Sequence, residues 1–264
     1  EMTDQPFGVN LTILPTITPP PYEEYAQAIV GSGIKIVETA GRSPEPFMEL
    51  FKAYDVKVIH KCTSVRHSLK AQSVGCDAVT IDGFECAGHP GEDDIPSLVL
   101  LPQAAEALDI PVVGCGGFSD AKSLVAALAL GAEGIAMGTR FMATKESLIH
   151  QNVKDKMTES DERSTNLMFR TMHNTARVFK NTISDQVVEI ESTGTATFED
   201  VKDLVAGQRG RGVFEVGDLE AGIWSAGISV ARVKDVPTCE ELVSRMVSDA
   251  EAIMDGRLKE IRAS

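Results

Sequence analysis

A histidine in a loop rich in glycine and proline is the residue best suited to move a proton. His89 lies within residues 82–94, which read Asp-Gly-Phe-Glu-Cys-Ala-Gly-His-Pro-Gly-Glu-Asp-Asp. An imidazole titrates near neutral pH and can donate or accept a proton. A lone histidine is more often a side chain whose ring nitrogens are simply hydrogen-bonded and that has no chemical role. Here the flanking Gly88 and Pro90, and the position directly after an apolar run, favour a catalytic role. The small Ala87 and Gly88 would let a planar ligand approach the backbone closely.

A lysine and two short polar residues end other apolar runs. Lys61 closes the run that begins at Val56. Because burial of an ammonium group is costly without a counter-charge, Lys61 is expected to meet a bound anion, to pair with Asp82 on the next strand, or to do both. Asn10 and Thr12 end the first run. Their side chains could bond to the edge of a heterocycle or to a hydroxylated chain.

Two glycine-containing turns follow the last two apolar runs of the first half. They are Gly116-Gly117 and Gly138-Thr139. Backbone N–H groups in such turns can close around a phosphate, since no Cβ stands in the way. In TIM barrels a phosphate is commonly held by the loops after strands seven and eight. The two turns therefore predict one phosphate site.

The elements that must position these residues alternate between strands and helices. Short runs rich in Val and Ile, bounded by Gly, Pro or Asp, predict strands at Phe7–Thr12, Ile34–Glu38, Val56–His60, Ala78–Asp82, Pro111–Cys115 and Gly134–Met137. Amphipathic patterns predict helices at Tyr22–Val30, Pro44–Ala53, Val65–Ser73, Leu98–Leu108 and Ala121–Leu130. This alternation is typical of βα units that build a parallel sheet.

The position of the glycine turns along the chain favours one of two fold classes. If they follow strands seven and eight, the first visible strand is strand three. The fold is then an α/β TIM (β/α)8-type barrel that lacks its first two βα units, with a helical cap. The alternative is a complete six-stranded doubly wound sheet. We predict a barrel portion at residues 1–140, a cap that forms a substrate domain at 141–236, and a C-terminal helix at 237–264 that returns to the barrel. Thr238 is its predicted N-cap.

Composition excludes several classes of protein. The formal net charge is −14, which argues against a nucleic-acid partner or an anionic membrane surface. The five cysteines are odd in number and form no CxxC motif. We therefore expect no metal site and no disulfide framework, and a reducing, cytoplasmic location. A homodimer is compatible with the sequence.

Taken together, these stretches resemble the nitronate monooxygenase (2-nitropropane dioxygenase) family of FMN enzymes, and most closely its NADH:quinone reductase branch. The resemblance extends over nearly the whole chain. It rests on Pro6–Thr12, Val58–Thr63, Ile81–Pro96, Gly116–Phe118, Met137–Phe141, Asp161–Thr165, Gln208–Arg211 and Gly222–Gly227. Family members carry a further segment before the first of these stretches, with a Gln-Gly-x-Met motif that covers part of the flavin.

The resemblance implies an FMN site at the barrel mouth. Around the isoalloxazine and ribityl chain it would place Asn10, Thr12, Lys61, Asp82, Ala87 and Gly88. The phosphate would be held by Gly116, Gly117, Gly138 and Thr139. His89 matches the active-site histidine, Pro15 a position near the nicotinamide nucleotide, and Trp224 would lie close to the substrate pocket.

The function implied is an oxidoreductase that transfers a hydride from NADH to FMN and then electrons to a quinone, in a ping-pong sequence. The first alternative is a nitronate monooxygenase that oxidises alkyl nitronates with O2. A flavin-dependent enoyl-thioester reductase is a more distant one. From a different class, the chain could be a non-catalytic fragment without bound flavin.

Overall fold

Six parallel strands form one sheet in a computed structural model that describes residues 3–14 and 20–261. The strands are β1 (Gly8–Ile13), β2 (Ile36–Gly41), β3 (Lys57–Cys62), β4 (Ala78–Asp82), β5 (Val112–Cys115) and β6 (Gly134–Ala136). They lie side by side in chain order. A doubly wound sheet reverses its strand order at a switch point, and this sheet does not. The barrel-type fold is therefore confirmed, and the doubly wound alternative is wrong.

A helix follows each strand and covers one face of the sheet. These helices are α1 (Tyr22–Gly31), α2 (Glu45–Ala53), α3 (Val65–Ser73), α4 (Ser97–Ala107), α5 (Ala121–Ala129) and the short α6 (Thr139–Met142). Successive side chains of a strand point to opposite faces. Leu11, Val37, Val58 and Val79 are buried in the core under the helices. The opposite face carries polar residues, and all six strands deliver their carboxyl ends to the same edge.

The region after α6 contains several helices, in agreement with the predicted helical cap, and one β-hairpin that the sequence did not predict. Its helices are α7 (Gln151–Thr158), α8 (Thr182–Glu191), α9 (Phe198–Val201) and α10 (Gly207–Val216). Between α7 and α8, β7 (Thr165–Met168) pairs antiparallel with β8 (Ala176–Phe179). These strands have four residues each, Thr-Asn-Leu-Met and Ala-Arg-Val-Phe, and neither alternates strictly between apolar and polar residues, which is the pattern that predicts a half-buried strand. The domain limits at 140/141 and 236/237 stay a prediction.

The helix α11 (Cys239–Ile253) packs on the helical face of the barrel portion. It buries Leu242, Met246 and Ala250 in a cluster with Ala121 and Val125 of α5. A π-helical turn (Met254–Leu258) and a short α12 (Lys259–Ile261) follow. In the described part of the chain, no helix is both long enough and apolar enough to cross a bilayer.

The N-terminus of α11 gives a first prediction, on stability. The Thr238 hydroxyl accepts a hydrogen bond from the Glu241 N–H at 3.0 Å, and the Glu241 carboxylate accepts one from the Thr238 N–H at 2.8 Å. We expect Thr238→Ala to lower the free energy of unfolding by about 1 kcal/mol, because one helix N–H loses its acceptor. Chemical denaturation measures this, with Thr238→Ser as the control that keeps the hydroxyl. Equal stability of the two variants would contradict the assignment.

Candidate active site

A cavity of about 780 Å³ opens at the carboxyl ends of the strands. Its size is ordinary for a cofactor site. Most of the residues singled out in the sequence line it: Thr12, Lys61, Asp82, Ala87, Gly88, His89, Gly116, Gly117, Gly138 and Thr139. Pro15 lies outside the described residues. Asn10 and Trp224 are not part of the lining.

One end of the cavity is a turn-rich pocket, the glycine cradle, formed by Gly116, Gly117, Gly138 and Thr139. Gly116 and Gly117 have φ values of +88° and +84°, in the left-handed region that favours glycine. A Cβ on Gly116 would lie 2.9 Å from the Gly83 carbonyl oxygen, whereas a Cβ on Gly138 would meet no atom of the described residues within 4 Å. The cradle is therefore narrow at Gly116 and open towards the cavity at Gly138.

Gly227, which the sequence analysis did not assign to the site, also supports the cradle. Its N–H donates to the Thr139 hydroxyl at 2.9 Å, and a Cβ there would lie 2.8 Å from the Glu85 carbonyl oxygen. Gly227 and Ser229 both line the cavity. The chain after α10 thus returns to the cradle, a long-range contact for which the sequence offered only the stretch Gly222–Gly227.

A polar network lies on the strand face below the cavity. The Glu38 carboxylate is its centre: it lies 3.6 Å from the Lys61 ammonium group and accepts hydrogen bonds from Asn10 at 2.8 Å and Thr80 at 3.3 Å. The Thr12 hydroxyl donates to the Asn10 side-chain oxygen at 2.6 Å. Asn10 therefore faces Glu38 and not the cavity. The sequence analysis missed Glu38, although an acidic residue at the end of an apolar run was a visible signal.

Lys61 and Asp82 influence each other without a contact within 4 Å. Burial lowers the pKa of Lys61, but the negative charges of Asp82 and Glu38 act in the opposite direction and the net effect leaves its pKa raised. Burial raises the pKa of Asp82, with Lys61 acting in the opposite direction. In the described structure the Asp82 Oδ1 atom is buried and has no hydrogen-bond partner. Because buried acceptors are normally paired, this atom offers an acceptor for a donor on a ligand in the cavity.

The loop that carries His89 is fastened to β8. The Gly88 N–H donates to the Arg177 carbonyl at 3.0 Å, and the Arg177 N–H donates to the Gly88 carbonyl at 2.6 Å. The buried Arg177 guanidinium donates to the Phe84 carbonyl at 2.9 Å and lies 4.6 Å from the Phe84 ring centroid. Arg177 was not predicted as a site residue. A basic residue inside the apolar run Ala176–Phe179 was its signal in the sequence.

His89 reaches the mouth of the cavity with an exposed side chain. The protein atoms packed around it lower the pKa of His89, and the Glu92 carboxylate acts in the opposite direction. The Thr175 N–H and hydroxyl hold the Glu92 carboxylate at 2.7 and 2.6 Å. At neutral pH the imidazole is therefore mainly uncharged, and it can accept a proton or donate its N–H in a hydrogen bond.

Trp224 is placed in the interior of the region after α6. Its side chain is 2% exposed, and its ring stacks on Phe179 with 4.1 Å between ring centroids. A large apolar ring is a natural core residue of this region, and Trp224 does not reach the cavity lining.

Comparisons with known proteins agree with this geometry. The family model described as nitronate monooxygenase matches residues 1–249. A curated relative from Rhodococcus jostii, (3aS,4S,5R,7aS)-5-hydroxy-7a-methyl-1-oxo-octahydro-1H-indene-4-carboxyl-CoA dehydrogenase, is 28% identical over 94% of this chain and 79% of that protein. A probable nitronate monooxygenase from Staphylococcus saprophyticus is 32% identical over 54% of this chain and 43% of that protein.

Among solved structures, the fold of FabK from Thermotoga maritima is similar to this chain over nearly its full length. Its TM-score is 0.89 with 26% identity, and the match covers 98% of this chain and 80% of that chain. The match therefore extends past the six strands to the region that supplies Arg177 and Gly227.

Proposed function

Because the chain belongs to the nitronate monooxygenase family, a family of flavin-dependent oxidoreductases, we propose that it is an FMN-dependent NADH:quinone reductase. The overall reaction would be NADH + H⁺ + quinone → NAD⁺ + hydroquinone, in two half-reactions. One observation carries the proposal: a single cavity joins the glycine cradle, the unpaired Asp82 oxygen, the Lys61 cation and His89.

The residues present fit a flavin mononucleotide. The glycine cradle offers backbone N–H groups to a phosphate. Asp82 Oδ1 needs a donor, and ribityl hydroxyls or a ring N–H are donors. Ala87 and Gly88 leave room for a planar ring against the backbone. When bound, FMN would supply two-electron redox chemistry between a nicotinamide and an acceptor.

Each of the polar residues at the cavity would then have a separate role. Lys61 holds a positive charge at the cavity floor, where it would stabilise negative charge that develops during hydride transfer. Glu38 fixes the position of that ammonium group from 3.6 Å. His89, at the mouth, would orient the acceptor and move a proton to it. The hydrogen bonds between Gly88 and Arg177 hold the His89 loop in place.

Gly138→Ala tests the cofactor assignment without disturbing the fold. Since nothing in the described protein lies within 4 Å of the added Cβ, the free energy of unfolding without flavin should be unchanged. The methyl group would instead meet the FMN phosphate, so we expect affinity for FMN to fall at least tenfold, or about 1.4 kcal/mol. Gly134→Ala on β6 is the control, because its Cβ also meets nothing and it is outside the cavity lining. Unchanged FMN affinity in Gly138→Ala would contradict the cradle.

A second candidate is a nitronate monooxygenase, favoured by the name of the matching family and of the Staphylococcus relative. In that case His89 would act towards the nitronate, with O2 as oxidant. The Rhodococcus relative is named for a carboxyl-CoA compound, so a coenzyme A thioester is a third substrate class.

Anaerobic rapid mixing separates the candidates. We expect NADH to bleach the flavin absorbance and a quinone to restore it. Bleaching by an alkyl nitronate and not by NADH would replace the proposal with the monooxygenase. Protein that neither retains nor binds flavin would show that this chain is non-catalytic.

A further inference from the structure

We propose that a basic rim at the mouth of the cavity, formed by Arg42, His67 and Lys70, binds the diphosphate of an adenosine-diphosphate-bearing substrate. This inference deepens the proposed function and rests on it for the identity of the ligand. All three residues line the cavity. Arg42 follows the end of β2, and the other two lie on α3, which follows β3.

The rim carries more positive charge than its carboxylate partners offset. Within the described residues, no carboxylate lies within 4 Å of the Arg42 or His67 side chain, and residues 15–19 contain no acidic side chain. The Arg66 guanidinium, which can only donate, contacts the His67 ring nitrogen Nε2 at 3.2 Å, so His67 serves the rim as a hydrogen-bonding group and is not counted as a cation. Lys70 pairs with Glu45 at 3.0 Å, but both side chains are more than half exposed, and such pairs contribute little. In a chain with 39 acidic and 25 basic residues, an arginine without a carboxylate partner at a cavity mouth points to an anionic ligand.

The acidic residues of the cavity wall have other partners. Glu85 accepts hydrogen bonds from the Ser97 N–H and hydroxyl at 2.9 and 3.0 Å. Glu92 is held by Thr175. Asp82 is buried next to the charge of Lys61. None of them neutralises the rim.

The rim is too far from the glycine cradle for one phosphate to occupy both. The cradle follows β5 and β6, whereas the rim follows β2 and β3. Two to four strand spacings separate these positions, roughly 10 to 19 Å along the sheet at about 4.8 Å per strand. The rim therefore serves a second anionic group, which enters the cavity mouth from the side opposite the cradle.

A diphosphate matches the chemistry of this second site. An arginine fork binds two phosphate oxygens at once, and a lysine adds a point charge. NADH and coenzyme A thioesters both carry adenosine 5′-diphosphate at the end remote from their reacting group. That common moiety would be held at the rim while the reacting group reaches the interior of the cavity.

The test is binding of ADP to the FMN-loaded protein, measured by calorimetry, with adenosine as the ligand without phosphate. We expect ADP to bind more tightly than adenosine, and Arg42→Ala to weaken ADP binding about tenfold. Arg163→Ala is the matched control, because Arg163 is an exposed loop arginine outside the cavity lining. Equal ADP affinity of wild type and Arg42→Ala, or no ADP binding, would overturn the proposal.

Two further titrations identify the source of the diphosphate. NADH and coenzyme A are titrated separately, and the ligand whose affinity falls in Arg42→Ala is the one held at the rim. In turnover, loss of such uniform binding raises KM and leaves kcat nearly unchanged. If NADH does not reduce the flavin but ADP binding still depends on Arg42, the reductase proposal fails and the rim stands. If NADH reduces both proteins with the same KM and ADP affinity is equal, the rim fails and the reductase stands.

Discussion

Replacing Lys61 with methionine should slow the reduction of bound FMN by NADH roughly 100-fold, a loss of about 3 kcal/mol of transition-state stabilisation. Lys61 is half-buried at the cavity floor, and its pKa is raised, so it stays charged at neutral pH. Methionine keeps the length of the side chain and removes the charge. The Glu38 carboxylate retains its hydrogen bonds from Asn10 and Thr80. We therefore expect the free energy of unfolding to change less than the activation free energy.

The matched control for Lys61→Met is Lys57→Met on the same strand. Lys57 also has a carboxylate partner, Asp77 at 3.2 Å, but it is exposed and outside the cavity lining. Anaerobic stopped-flow absorbance measures the reduction rate of both variants. Reduction of Lys61→Met at the wild-type rate would remove Lys61 from the catalytic residues.

His89→Asn should slow the acceptor half-reaction roughly 100-fold or more and leave reduction by NADH within a few-fold of wild type. Hydride transfer needs aligned rings and no proton, whereas the reduction of a quinone consumes protons. Loss of a general acid–base group commonly costs this factor. Asparagine keeps a polar group of similar reach on the loop that Arg177 fastens.

The pH profile gives an independent readout for His89. Because surrounding protein atoms lower the pKa of His89, its protonated form accumulates at a pH below the ordinary histidine pKa. The wild-type acceptor step should therefore show an inflection there, and His89→Asn should lack it. His173→Asn is the control, since His173 is exposed and outside the cavity lining. A loss confined to the NADH step would overturn the assignment.

The parts of the fold that local patterns determine were predictable. The strand predicted at Ala78–Asp82 is observed with the same limits, and the helix predicted at Val65–Ser73 likewise. Turn residues bound each of these two elements, and the spacing of apolar residues within it indicates its type. Such an element can therefore be predicted from its own segment of sequence. The glycine cradle was visible for the same reason, because each of its turns directly follows a strand.

The parts that depend on long-range contacts were not predictable. Arg177 reaches the site because β8 pairs with Gly88, far away in the sequence. Asn10 lies on the predicted strand, but its side chain donates a hydrogen bond to Glu38. Glu38 belongs to the neighbouring strand, so this contact depends on how the two strands pair. Trp224 shows the same limit: the family resemblance implied a position close to the substrate pocket, whereas the structure stacks its ring on Phe179 in the interior.

Titration of the flavin-free protein with FMN and, separately, with riboflavin tests the central claim most directly. Flavin fluorescence reports binding, and the two ligands differ by the phosphate alone. If the glycine cradle holds the phosphate while Asp82 and Lys61 face the rest of the flavin, FMN should bind at one equivalent and at least tenfold more tightly than riboflavin, about 1.4 kcal/mol. Equal affinity for the two flavins, or no binding of either, would contradict the account.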